Sequence, residues 1–318
     1  MTTEDGSQVP RRVEEPPPGN ARREPIAQTE QILGDLSLER LFARAREEGL
    51  HVSSAPAEAG QEAAPEVKRI PVGVRPHSVA ASPDGTRLYV TNFGDGSLSV
   101  IDPYREAVVA THLIGEAPYG VAVSPDGTDL YVASPSRGTV TQYSISGDDL
   151  FQDGSILSAD DHSKNPYGTA VSPDGHVCLT LALSDTVLVT DKFLKAPTSI
   201  PDVSFPVGVV ASKDNDRLYA TNYFAKSVSV IDVSGKAVVA TIPVAIDPYG
   251  VAMNPDGTRL YVAHFPGTGS VSVIDVSGQA VVATIPVGQG PRGVAVSPDG
   301  TRLYVTNFFA DSLSVVTL

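Results

Sequence analysis

Six positions, each one residue after a proline, carry His77, Tyr119, Tyr167, Val207, Tyr249 and Arg292. The prolines are Pro76, Pro118, Pro166, Pro206, Pro248 and Pro291, at steps of 42, 48, 40, 42 and 43 residues. The set has the chemistry of a small-molecule site. An imidazole is the one side chain that titrates near neutrality unperturbed, so His77 is a candidate general acid or base. A guanidinium grips a carboxylate or phosphate through two parallel N–H donors, the role open to Arg292. Phenols such as Tyr119, Tyr167 and Tyr249 donate to an oxyanion or stack on a ring. Sixteen residues after each proline stand Asn92, Ser134, Ala182, Asn222, His264 and Asn307, followed by Phe93, Pro135, Leu183, Tyr223, Phe265 and Phe308. His264 breaks the asparagine pattern and joins His77 and Arg292 as a catalytic candidate. Tyr223, Asn92, Asn222 and Asn307 complete the candidate ligand-binding set. The plainer alternative is that the tyrosines pack against neighbouring segments and the asparagines cap turns.

A unit of about forty residues, written six times, brings these positions together. Residues 82–92 read SPDGTRLYVTN and residues 297–307 repeat it letter for letter; weaker copies begin at Ser124, Ser172, Ser212 and Asn254. A period of this length marks a solenoid or propeller, because each unit buries its apolar face only against its neighbours. In the unit 248–290, a short strand at 250–254 leads into a Pro-Asp-Gly turn. A strand rich in Leu, Tyr and Val follows at 259–264, an alternating Ser-Val strand at 270–275 and an outer strand at 280–287. Four short strands per unit make a propeller blade.

The last copy stops at Leu318, after its third strand. Its outer strand should resemble VATIPVG at 282–288, and residues 67–73 read VKRIPVG, at the same offset before a proline. The expectation is an all-β, six-bladed β-propeller of four-stranded blades over 66–318, with the strand 67–73 completing the last blade. Closure of this kind removes two exposed strand edges. Loops joining outer to inner strands and second to third strands then share one face, and both candidate sets line one mouth of the channel.

Two copies depart from the pattern. The second carries an insertion with Asp148, Asp149, Asp153 and then Asp160, Asp161 and His162. Carboxylates beside an imidazole suit a divalent metal, since hard cations favour oxygen ligands. The spacing matches no fixed metal motif, and a solvated acidic loop is the alternative. In the third copy Thr180 is read in place of the usual tyrosine, and 192–202 loses the Val-Val-Ala-Thr-Ile pattern.

The motif Leu-Tyr-Val-Thr-Asn, at 88–92 and 303–307, resembles the YVTN family of bacterial and archaeal propeller repeats. The resemblance covers roughly 66–318. It implies a propeller from a group that includes surface-layer proteins, quinoprotein-like binding modules and virginiamycin B lyase-like enzymes. In the lyases, histidines on the corresponding face act with a metal in an elimination. Family members often have seven blades, so six is a departure.

The net charge of −14 disfavours nonspecific nucleic-acid and anionic-membrane binding, both of which need a basic footprint. No apolar run is long enough to span a bilayer. The start, MTTEDGSQVPRRVEEPPP, has no apolar signal-peptide core, and the expectation is a cytoplasmic protein. The single cysteine, Cys178, lies between Val177 and Leu179 and reads as a buried, inert thiol. Residues 1–65 read as a mostly disordered extension. Within it Ser37 as N-cap, Leu38, Leu41, Phe42 and Ala45 as an apolar stripe, and Gly49 as C-cap describe a short amphipathic helix at 37–48. Such a helix needs a surface, which is the propeller, a partner or the channel mouth. No Gly-rich phosphate loop, nucleophile elbow or zinc spacing is present. Three function classes follow. The chain is a binding module for a small molecule or protein at the channel face, or a lyase, hydrolase or cyclase using His77, His264 and Arg292. A nucleic-acid binder, the third class, is set back by the charge.

Overall fold

The computed structural model describes residues 67–156, 165–195, 197–245, 247–266 and 269–318. The extension with its expected helix at 37–48, and the metal candidates Asp160, Asp161 and His162, lie outside the described residues. The described chain forms six antiparallel four-stranded sheets, the blades of a propeller. Five sheets follow chain order. In the sixth, Val67–Pro71 lies along the outer edge of Ser312–Thr317, with Val67 opposite Val316 and Ile70 opposite Leu313. The start of the repeat region therefore closes the ring, as the sequence predicts. The ladder ends at Pro71 rather than Gly73, and the Val72 N–H turns aside to the Asp311 carbonyl at 3.1 Å.

The Ser-Pro-Asp-Gly hairpins build each blade from inside outward. In blade one the Ser82 N–H donates to the Arg87 carbonyl at 2.8 Å. The Ser82 hydroxyl donates to Asp84 at 2.6 Å, and the same carboxylate accepts the Thr86 N–H at 3.0 Å. Gly85 takes the positive φ of 71° that the turn requires. Blade five uses Asn254 in place of the serine, its Oδ1 accepting the Arg259 N–H at 2.8 Å.

Blade three corrects the sequence register. Its turn is one residue shorter, closing from the Ser172 N–H to the His176 carbonyl. Leu181 consequently pairs with Pro166 as Asn92 pairs with Pro76, and Cys178 sits between Ala170 and Val189 as Tyr89 sits between Ala80 and Val100. Thr180 is thus the counterpart of Thr91, and the residue in the tyrosine's place is Cys178. Burial pushes its thiol pKa up to about 12, which fits the inert reading.

The core lies between blades. Tyr89 packs with Val121, Leu130 and Val132 of blade two, and Tyr304 packs with Val79, Leu88 and Val90 of blade one. Ile70 of the closing strand is buried in that second cluster. Truncating it to alanine should cost about 2–5 kcal/mol, read as a lower urea midpoint.

A second expectation concerns acid. Hydrogen bonds from the hairpin serine, with backbone and side-chain donors of the following threonine, hold Asp126 and Asp299 at about 2, below the ordinary 3.8. A carboxylate depressed in the folded state stabilises above its unfolded pKa, and that stabilisation is lost as pH falls through the folded value. Melting temperature should therefore drop between about pH 4 and pH 2, and the drop should shrink in the Asp126→Asn/Asp299→Asn variant.

Candidate functional site

The inner strands line the central channel, and each opens with its proline. In five of them the pairing with the second strand slips by a bulge just after that proline. A bulge re-aims a side chain. The residues that follow the prolines, His77, Tyr119, Tyr167, Val207, Tyr249 and Arg292, are all buried. Several of them meet across the channel: His77 Nε2 lies 3.0 Å from the Tyr249 hydroxyl, linking blades one and five.

The rings at this mouth form a closed belt. It runs His77–Tyr119–Tyr167–Phe205–Tyr223–Tyr249–Phe265–Phe308–Phe93 and back to Tyr119, with centroid separations between 4.1 and 6.4 Å. Most contacts are tilted or edge-on, the geometry that ring quadrupoles favour. Phe205 was not among the sequence candidates. It precedes an opening proline at a position filled elsewhere by Arg75, Ala117, Asn165, Asp247 and Gly290, and that irregularity is the signal that marks it.

Arg292 reaches into this belt. Its guanidinium carbon is 3.7 Å from the Phe308 centroid and 3.9 Å from that of Phe265. The residue is 7% exposed, and its Nε is buried without a hydrogen-bond partner. No carboxylate lies within ion-pair distance of it among the described residues. Burial first, and then the Arg292 charge, hold the His77 imidazole well below its usual pKa, so it is neutral at pH 7. Burial likewise pushes the Tyr223 phenol up. Beneath this layer a cavity of about 220 Å³ follows the inner strands, walled by small aliphatic residues such as Ala80, Val123 and Val210 and by His77 and Arg292 at one end.

The other candidates fall elsewhere. Asn92 donates through Nδ2 to Ser97 and Ser99, at 2.9 and 3.0 Å, and Asn222 and Asn307 repeat this with their own serine pairs. These amides tie the end of each second strand to the third. His264 occupies the same place in blade five, with Nε2 2.7 Å from the Ser272 hydroxyl. His77, Arg292 and Tyr249 are thus brought together, whereas His264 contributes to the belt through its neighbour Phe265. Among the described residues no group of three His, Cys, Asp or Glu could hold a metal, and no helix is long and apolar enough to cross a membrane.

A sequence profile of YNCE-like beta-propellers matches residues 58–318. The chain belongs to that family. The assignment agrees with the resemblance carried by the Leu-Tyr-Val-Thr-Asn motif. No curated protein matches this YNCE-like propeller. Among solved structures it is similar to Kuenenia stuttgartiensis Hydrazine Synthase at 20% identity and a TM-score of 0.61, over 85% of this chain and 99% of that one. At that identity the likeness carries the fold alone.

Substitution at His264 separates bracing from chemistry. His264→Asn restores the amide found in three other blades of the YNCE-like propeller and should leave stability within about 0.5 kcal/mol. His264→Leu, which orphans the Ser272 hydroxyl, should cost about 1–3 kcal/mol by chemical denaturation.

Proposed function

We propose that this propeller is a binding module for a small anion, a carboxylate or phosphate, held in the central channel by Arg292. The observation that carries this reading is the buried guanidinium with an unpartnered Nε at the end of a 220 Å³ cavity. A buried charge is costly unless it is paired. The faces of Phe265 and Phe308 offset part of that cost by cation–π attraction. An anion supplies the rest, and planar N–H donors are suited to receive it. A neutral His77 leaves Arg292 as the one permanent charge among the six residues that follow the prolines and adds a polar wall. The acidic surface keeps nucleic acid away and is compatible with a small ligand that enters one at a time.

The test is calorimetric titration with acetate, malonate and phosphate. At least one should bind saturably, and Arg292→Gln should weaken it by about thirtyfold or more, the effect of truncating one member of a buried charge pair. Equal affinity in the variant, or no saturable binding of any of the three, overturns the reading.

A second reading rests on the His77–Tyr249 contact. A neutral imidazole bonded to a phenol beside a guanidinium has the parts of an acid–base site, so the bound anion would be the substrate of a lyase, hydrolase or cyclase. It predicts turnover in a metabolite extract that is lost in His77→Ala while Arg292-dependent anion binding persists. Binding without turnover returns the protein to the first reading.

A further inference from the structure

The five tyrosines of the repeated Leu-Tyr motif, Tyr89, Tyr131, Tyr219, Tyr261 and Tyr304, are each buried against the next blade. Blade three has Cys178 in that place, with the same cross-strand partners on both sides. The ring is missing, and the neighbouring blade has not collapsed to replace it. A pocket of about 310 Å³ lies between blades three and four, with Cys178, Val189, Ile200, Leu218 and Val233 among its apolar walls. Its polar lining includes His176, paired with Asp174 at 3.0 Å, together with Lys236 and Asn215. Close-packed interiors rarely leave such a space. The exposed His176–Asp174 pair marks where the pocket opens to solvent, and the apolar walls beneath it suit a small aromatic ring.

Blade two shows what would fit. In blade two the Tyr131 ring sits among Val177, Leu179, Leu188 and Leu194 of blade three, and its hydroxyl donates to the Lys192 carbonyl at 2.9 Å. Lys192 lies in the turn between the third and outer strands. The corresponding turn of blade four begins at Val233, which lines the pocket. The junction of blades two and three thus holds an apolar slot of phenol shape that ends at a peptide turn accepting a hydrogen bond, and the pocket has the same elements around it.

We propose that the pocket between blades three and four is a binding site for a small phenolic molecule, whose ring takes the place of the tyrosine that blade three lacks. The site is separate from the channel and does not depend on Arg292.

The probe is p-cresol, which is the tyrosine side chain as a free molecule, with toluene as the comparator that lacks the hydroxyl. Saturable binding of p-cresol is expected by calorimetry, with toluene weaker by roughly three- to tenfold for the lost hydrogen bond. Cys178→Tyr should abolish p-cresol binding by filling the slot. A circular dichroism spectrum and cooperative melt establish that this variant folds. If it does not, the wild-type protein still decides the matter: intermolecular NOEs from the p-cresol ring should fall on the methyl groups of Val189, Ile200, Leu218 and Val233. No saturable binding overturns the proposal, as does equal binding by a folded Cys178→Tyr protein. Binding without those methyl contacts also overturns it.

Discussion

The ring is held where the inner strands converge on the axis, by backbones pressed closer than any side chain allows. Two residues after the opening proline, five blades carry glycine. A Cβ at Gly208 would stand 2.4 Å from the Tyr249 carbonyl oxygen, and one at Gly250 the same distance from that of Arg292. Closure at the last junction is equally tight, with a Cβ at Gly293 2.6 Å from the Ser78 Cα. Threonine hydroxyls then stitch the approach. Gly208 N–H donates to Thr221 Oγ1, whose own proton goes to the Tyr249 carbonyl of the next blade at 2.5 Å. Thr91, Thr180 and Thr306 make the same bridge to Tyr119, Val207 and His77. Blade two has Ala133 at that place, and its Gly120 N–H reaches the Tyr167 carbonyl directly at 3.0 Å.

The composition of the channel mouth follows from this contact. Every carbonyl so gripped belongs to the residue after a proline, so the clamp that joins blades also fixes the backbones that present His77, Tyr119, Val207 and Tyr249. Their side chains crowd one small opening, and the packing solution is the belt of tilted rings. Arg292 is the exception on two counts. Blade five has Ala263 where the threonine would stand, and Arg292 is the one of the six post-proline residues with a permanent charge. A neutral His77 beside it is then the electrostatically consistent partner, because burial and the guanidinium both oppose its protonation.

The fold was legible because its determinants are local and repeated: a turn aspartate, a turn glycine and a run of β-formers, with a displaced VKRIPVG that could only complete the last blade. The mouth was legible in part. Counting from each proline located all six channel residues, since a bulge after proline recurs in nearly every blade. The same counting misplaced Ala182 in blade three, where a shortened hairpin puts Leu181 in the asparagine's place, Thr180 on the threonine bridge and Cys178 in the tyrosine's seat. His264 looked exceptional in sequence because its chemistry differs from asparagine, yet its ring makes the same strand-to-strand brace to a serine. Phe205 escaped notice because its role depends on a contact between blades, which no spacing within one unit displays.

Six copies of one scaffold make departures from the pattern physically interpretable, because the neighbouring copies show how each place is normally satisfied. At most positions a change is absorbed, as when Asn254 replaces a hairpin serine and accepts the same N–H. Two departures are not absorbed. At Cys178 a ring is lost and the volume remains; at Arg292 a charge is gained and no counter-charge accompanies it among the described residues. The two mismatches are of opposite kind. An unfilled volume is relieved by an apolar body of the right shape, and a buried cation by an anion. A repeat protein with matched blades has no need of either. The places where this one is unmatched, at the channel mouth and at the junction of blades three and four, are therefore the two at which we propose that ligands bind.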